Sequence, residues 1–306
     1  MTETDPSAVY QQRCGFVAVL GAPNAGKSTL VNALVGQKVA ITSATPQTTR
    51  TRVIGVAIEG GAQIVLTDTP GIMAPRRRLE RAMVAAAWGS AEGADALLFV
   101  VDAARGLDAK ASAVLDTLSQ RREPKLLVIN KVDLVRKDAL LALASDINAR
   151  LAFDELFFVA AASGDGVADF KAHLATRMPP QPWHFPADEV SDVSERLLAA
   201  EITREQLFRQ LRAELPHDSA VETEKFTTRP DGSIEIHQQV LVARDSQKAI
   251  VLGKGGSRIR AIGTAARTEI AEQLGHPCHL YLHVKVKPDW DEDRALYRDI
   301  GLDWVE

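Results

Sequence analysis

"GAPNAGKS", residues 21–28, follows the apolar run "FVAVL" (16–20), and the reading of these residues decides the fold. The stretch fits Gly-x-x-x-x-Gly-Lys-Ser/Thr, with Gly21, Gly26, Lys27 and Ser28 in the fixed places. Glycine lets backbone N–H groups turn inward onto phosphate oxygens. The lysine reaches the β- and γ-phosphates, and the hydroxyl suits Mg2+. A helix opening behind the loop favours the same negative charge. The phosphate cradle is therefore expected from Gly21, Asn24, Ala25, Gly26, Lys27, Ser28 and Thr29. By average residue frequencies, a chance match in a chain of 306 residues has odds of about one per cent.

Outward from the loop, short apolar runs alternate with helical segments. "RVIGVAI" (52–58), "AQIVLTD" (62–68), "ALLFVVD" (96–102), "KLLVIN" (125–130) and "ELFFVA" (155–160) read as strands beside "FVAVL". Helices are expected from near Lys27, Leu79, Asp108, Asp138 and Val167. Alternation of this kind, with strands apolar throughout, predicts a mostly parallel, doubly wound α/β sheet covered on both faces. "PPQPWHFP" (179–186) holds four prolines in eight residues, which suits neither a helix interior nor a central strand. It marks the expected boundary: a nucleotide domain at 13–178, a proline-rich linker at 179–190 and a second domain at 191–306.

Beyond the linker the pattern changes. A long amphipathic helix is expected from about Ser191 to Leu215, then strands "AVETEKFTT" (220–228) and "SIEIHQQVLV" (233–242) joined by the turn "RPDG". A short helix "SQKAIVL" leads into "GKGG" (253–256), followed by a helix from Ser257 to about Leu274 and a strand "CHLYLHVKV" (278–286). The order is α-β-β-α-α-β, an α+β unit.

Composition bounds the function. With 46% apolar and 25% charged residues, the chain reads as an ordinary globular protein. Two cysteines far apart, Cys14 and Cys278, exclude a disulfide framework and fit a reducing cytosol. No apolar stretch approaches the ~18 residues needed to span a bilayer, and the polar start "MTETDPSAVYQQR" is not a secretory signal. Net charge is −4, and from residue 181 onward 16 Lys and Arg face 22 Asp and Glu. Yet Arg244 to Arg267 holds six basic residues and one acid, a concentrated patch suited to a phosphate backbone.

The base is read from "NKVD" (130–133), which ends the strand "KLLVI" on the same sheet edge as the phosphate loop. Asp133 can accept both the N1–H and the N2–H of guanine, donors that adenine lacks. Asn130 would brace the loops and Lys131 would pack along the base. "DTPG" (68–71) places Asp68 to hold Mg2+ through a water and the Gly71 N–H at the γ-phosphate. "PQTTR" (46–50) supplies a threonine for Mg2+, Thr49 with Thr48 as the alternative, in a loop ordered by triphosphate.

These motifs, in this order and spacing, resemble the translation-factor-related GTPases. "GAPNAGKS", "ITSATPQTTR", "DTPGI" and "NKVD" are similar to the bacterial Era family in particular. Where that family's base-contact loop reads Ser-Ala, this chain has Ala160–Ala161, so a serine hydroxyl is missing while the Ala161 N–H remains for guanine O6. Ras-type enzymes orient the attacking water with a glutamine after Asp-x-x-Gly; here that place is Ile72. In potassium-stimulated relatives an asparagine matching Asn24 helps hold K+ near the phosphates; a turn residue is the alternative reading. The resemblance thus gives Lys27, Thr49, Gly71 and Asn24 the catalytic roles, with Thr48 among the phosphate contacts.

"GKGG" matches Gly-x-x-Gly between helical segments inside the basic patch, and the element order resembles the prokaryotic-type KH fold. In that fold the loop clamps the backbone of single-stranded RNA over about four nucleotides. Gly253, Lys254, Gly255, Gly256 and Arg258 would grip the phosphates, while Ile250 and Ile259 would line the groove for bases. A GTPase followed by a KH domain is the Era arrangement, and the likeness covers nearly the whole chain. It implies binding of GTP and GDP with Mg2+, and contact with 16S rRNA near its 3′ end. It further implies help in 30S subunit assembly and rRNA maturation. A cytoplasmic monomer, with peripheral contact at the inner membrane face as a further expectation, completes that picture.

Two rival readings have sequence motives. Ile72 motivates a nucleotide-switched RNA-binding module with only incidental hydrolysis, and an ATP-dependent enzyme is argued against by Asp133. "HPCHLYLH" (276–283) lacks paired metal ligands and reads as a half-exposed strand. "PRRRLER" (75–81) reads equally as an RNA contact or a solvated helix start.

Overall fold

A computed structural model describes residues 12–43, 49–211 and 215–306. In chain order the elements are β1 (Arg13–Leu20), α1 (Lys27–Val35), β2 (Val53–Glu59), β3 (Ala62–Asp68), α2 (Arg78–Gly89), β4 (Ala96–Asp102), α3 (Ala109–Leu118), β5 (Lys125–Asn130), α4 (Lys137–Arg150), β6 (Glu155–Val159) and α5 (Val167–Arg177). They continue with α6 (Glu195–Gln210), β7 (Ser219–Thr228), β8 (Ile234–Val242), α7 (Asp245–Leu252), α8 (Ser257–Leu274), β9 (Cys278–Val286) and α9 (Arg294–Asp299).

Packing divides the chain into two compact units. The first comprises Met1–Val39, Val53–Asp68 and Gly89–Asp192. Its six strands run in the order β2-β3-β1-β4-β5-β6, with β2 antiparallel to β3 and every other pair parallel. Every residue of β3 and β4 is buried, as continuous apolar runs require when helices cover both faces. α1 and α5 pack on each other and against β2 and β3.

The proline-rich segment is strapped to this unit. The Gln63 side chain accepts from the His184 and Phe185 N–H groups and donates to the Phe185 carbonyl. Trp183 and Phe185 pack on the cluster of Cys14, Ile54, Val56 and Val65. The same strap shortens the next helix relative to the sequence expectation. Ser191 pairs with Gly55 and Asp192 accepts from the Ile54 N–H, so both are held extended. α6 therefore begins at Glu195, capped by the Ser194 hydroxyl, which accepts from the Leu197 N–H at 3.3 Å.

The second unit comprises Ala40–Arg52, Thr69–Trp88 and Val193–Glu306. Its sheet has the order β7-β8-β9, antiparallel then parallel, with a register shift between Thr223 and Lys225. α6 packs on α8 over this sheet, around a core that includes Leu207, Val240, Ile262 and Val284. α7 and α8 form the crossover between the parallel strands β8 and β9. The β9 side chains alternate in burial, as read from the sequence, and no group of metal-ligating residues occurs among the described residues.

A third cluster joins distant sequence. Leu79, Ala82 and Met83 of α2 pack with Ala220, Leu241, Trp290, Leu296, Tyr297 and Leu302. α9, absent from the sequence-derived order, contributes to this cluster. Among the described residues no helix is long and apolar enough to cross a membrane.

Candidate functional site

The phosphate loop lies between β1 and α1, at the carboxyl edge of the first unit's sheet. Gly26, which precedes α1, has φ +92, and a Cβ there would sit 2.2 Å from Asn130 Nδ2. Only glycine satisfies both the backbone and the approach of the asparagine. Asn24 has φ +65, the left-handed region that asparagine tolerates better than most residues. Its turn role is therefore present in the backbone itself.

Lys27 is buried, and its ammonium donates to the carbonyls of Gly21 at 3.3 Å and Ala22 at 3.1 Å. Burial pushes its pKa down to about 8, while the nearby Asp68 carboxylate opposes the shift. A polyphosphate would replace those weak carbonyl partners with full charges and restore the ammonium. Ser28 Oγ donates to Asp68 Oδ2 at 2.6 Å, and Asp68 is fully buried at the end of β3. A hydroxyl and a carboxylate converging at this distance are hard oxygen donors of the type Mg2+ takes.

The second half of the site is built by Asn130. It is 1% exposed, at the end of β5. Its Nδ2 donates to the Ala25 carbonyl at 3.0 Å, and its Oδ1 accepts from the N–H groups of Lys131 at 2.8 Å and Ala161 at 3.1 Å. One amide thus ties the phosphate loop to the loops after β5 and β6. Without the serine hydroxyl, the loop after β6 is closed by other bonds. Ala160 N–H donates to the Asp165 carbonyl at 2.9 Å, and Ser163 Oγ donates to the Ala160 carbonyl at 3.1 Å.

Lys131 takes φ +63 and reaches back, donating from Nζ to the Asn24 carbonyl at 2.8 Å and Asp102 Oδ2 at 2.6 Å. Asp133 sits in a one-turn 3-10 helix, Val132–Leu134, exposed and with no side-chain partner among the described residues. Its carboxylate is therefore available to the base. Asp102 was not singled out by the sequence reading. The signal was there: "VVD" ends β4 beside β5, and the register pairs Asp102 with Asn130.

Thr49 and Gly71 belong to stretches grouped with the second unit, 40–52 and 69–88. Thr49 is buried, as is Ile72 in the place where Ras-type enzymes carry glutamine. Thr48 lies outside the described residues.

The second unit carries the Gly-x-x-Gly turn. Gly253 ends α7 with φ +69, and a Cβ there would meet the Arg258 Cβ at 2.8 Å. Lys254–Gly256 form one 3-10 turn before α8, with Gly255 at φ 59 and Gly256 at φ 75. Lys254 and Arg258 are exposed, and Arg258 Nη1 donates to the Ile250 carbonyl at 3.3 Å. Ile250 is exposed beside them, whereas Ile259 turns toward the core of the second unit. None of the six basic residues from Arg244 to Arg267 forms an ion pair among the described residues, so their charge is uncommitted. Two of the four arginines of "PRRRLER" are committed: Arg77 pairs with Asp218 at 2.6 Å, and Arg78 pairs with Glu292 and lies over the Trp304 ring.

A phosphate loop and an Asn-Lys-x-Asp turn in one unit, with a Gly-x-x-Gly turn in the other, are the marks of an RNA-binding P-loop GTPase. The protein-family models agree on both parts: one described as 50S ribosome-binding GTPase matches residues 16–131, and one described as KH domain matches residues 214–291. The chain is 59% identical to GTPase Era of Erythrobacter litoralis over 297 residues, covering 96% of this chain and 98% of that one. It is 55% identical to GTPase Era of Afipia carboxidovorans over 295 residues, with 96% of each covered. A crystal structure of Era with MgGDPNP and nucleotides 1506–1542 of 16S ribosomal RNA matches with TM-score 0.90 and 36% identity, over 95% of this chain and 99% of that one. A variant of Aquifex aeolicus Era bound to GDP and AlF4− matches with the same TM-score, 0.90. This chain belongs to the Era family of GTPases.

Proposed function

We propose that this protein is a GTP-driven switch that grips single-stranded RNA at the 3′ end of 16S rRNA and assists 30S assembly and rRNA maturation. The observation that carries the reading is the full-length likeness to an Era solved with MgGDPNP and that RNA segment, in a chain that keeps its own uncommitted Gly-x-x-Gly clamp. The 50S description attaches to a model of the GTPase part alone and says nothing of the KH half. The functional modules are the GTPase domain at 13–178, the linker at 179–190 and the KH domain at 191–306. The setting is cytoplasmic.

In hydrolysis a water attacks the γ-phosphate. Lys27 holds the β- and γ-phosphates, and the Gly71 N–H meets the γ-phosphate. Ser28, Thr49 and Asp68 would hold Mg2+, which when bound would supply positive charge against the triphosphate oxygens. Asn130, Lys131 and Asp133 select guanine, with the loop of Ala160 and Ala161 closing over the base. Ile72 has no hydrogen-bonding group, so the attacking water is placed by something other than its side chain. The same residue favours a second reading, in which nucleotide sets RNA affinity and hydrolysis is incidental.

Asn24 is proposed to help hold K+ beside the phosphates, supplying charge that an arginine finger supplies elsewhere. Turnover is then expected to rise when K+ replaces Na+ at equal ionic strength. Asn24→Gly, which accepts the left-handed backbone, should remove the difference; equal rates in both salts for the intact protein would end the K+ role. The RNA assignment is tested by crosslinking the protein to RNA in cells and sequencing the attached fragments. Reads are expected to pile up at the 3′ end of 16S rRNA, and a flat distribution over mRNA would refute it.

A further inference from the structure

The residues His217, Asp218 and Ser219, at the head of β7, are gripped from two distant parts of the sequence. Arg50, next to Thr49, donates from Nη1 to the Ser219 carbonyl and from Nη2 to the His217 carbonyl, each at 2.8 Å. Its guanidinium lies 5.4 Å from the Trp290 ring centroid. Arg77, just before α2, pairs with Asp218 at 2.6 Å. Asp218 also accepts from Gln247 Nε2 at 3.5 Å, and Gln247 Oε1 caps α7 by accepting from the N–H groups of Ala243 and Arg244. α7 is eight residues long and ends at Leu252, and Gly253, which caps it, begins the Gly-x-x-Gly turn.

A planar fork that satisfies two carbonyls at once sets orientation as well as distance, which a lysine cannot reproduce. An exposed role is excluded by the 6% exposure of Arg50, and a bulk packing role does not require both carbonyls.

We propose that Arg50 is a positioning residue for hydrolysis: it fixes the stretch carrying Thr49 onto His217–Ser219, a junction that Arg77 and α7 share with the RNA clamp. Thr49's own role in this inference rests on the reading above. The junction makes the orientation of Thr49 depend on what α7 and its Gly-x-x-Gly end are doing.

The test uses the full-length protein with Arg50→Lys, which keeps the charge and loses the fork, and Asp218→Asn, which leaves the Arg50 carbonyls in place. For Arg50→Lys, kcat for GTP is expected to fall about tenfold to a hundredfold, the scale of a small misplacement of a reacting group. GDP affinity and KM should stay within about twofold, because the phosphate loop and base reader are untouched. Hydrogen exchange at residues 49–52 should quicken with a non-hydrolysable GTP analogue bound. For Asp218→Asn, basal kcat should hold while the ratio of RNA affinities in the GTP-analogue and GDP forms moves toward one. An unchanged kcat in Arg50→Lys overturns the proposal. So does a parallel fall in GDP affinity and melting temperature, which would make Arg50 merely structural. A ratio already at one in the unaltered protein overturns the shared junction. Failure of the unaltered protein to hydrolyse GTP would instead overturn the functional reading itself.

Discussion

Asp133→Asn should turn the protein from guanine to xanthine nucleotides. The carboxylate accepts two donors of guanine, N1–H and N2–H. An amide there keeps one acceptor and presents a donor to a donor. Hydrogen bonds to a charged group contribute about 1.5–3 kcal/mol each, so GDP affinity is expected to fall by at least about a hundredfold. Xanthine carries a carbonyl at position 2, which the new amide can meet. The structure makes this a clean substitution: Asp133 is exposed in the 3-10 turn and holds no other side chain among the described residues, so its loss leaves the Asn130 and Lys131 bonds standing. Competition of GDP and XDP against a fluorescent guanine nucleotide reads the result. An unchanged GDP affinity would remove Asp133 from the base site.

The second large effect is expected at the clamp. Replacing Lys254 and Gly255 with Asp changes local charge by −3, one lysine lost and two carboxylates gained. Gly255 has φ +59, which Asp tolerates better than most residues, and a Cβ there meets nothing within 4 Å. The doubly substituted protein should therefore fold. Its affinity for single-stranded rRNA is expected to fall on the order of a hundredfold at low salt, where phosphate contacts contribute most, with the salt dependence shallower by about 0.7 per lost contact. Basal GTP hydrolysis should stay near normal, because no phosphate-loop residue changes. Any stimulation by RNA should disappear with the binding. Filter binding beside a phosphate-release assay reads both halves. Unaltered RNA binding by the folded variant would show that "GKGG" is not the clamp. A parallel loss of basal hydrolysis would show tight coupling through the junction at residues 217–219.

The sheet of the first unit was legible because strands buried on both faces leave unbroken apolar runs, and "AQIVLTD" and "ALLFVVD" coincide with β3 and β4. The phosphate and base motifs were legible because their chemistry is local: four residues at a strand end suffice to write "NKVD". Allegiance between distant stretches was not. Leu79 and Met83 look like the apolar face of any amphipathic helix, and nothing in that periodicity says that the face packs on Trp290 and Tyr297. Arg50 ends a loop motif and reads as surface charge; its burial depends on carbonyls about 170 residues later, beyond any local pattern. The proline run was read correctly as neither helix nor central strand, but its fastening by Gln63 depends on a polar residue inside a buried strand. Asp102 was missed because its partner Lys131 is adjacent only through the β4–β5 register.

Nucleotide control of RNA binding is the core of this account, and one titration tests it most directly. A labelled single-stranded RNA copying the 3′ end of 16S rRNA is titrated with the full-length protein at one fixed salt concentration. The protein is loaded either with a non-hydrolysable GTP analogue and Mg2+ or with GDP. The account predicts binding at least about fivefold tighter in the triphosphate form, the lower end of ordinary coupling between two sites. Equal affinity in the two forms would contradict it.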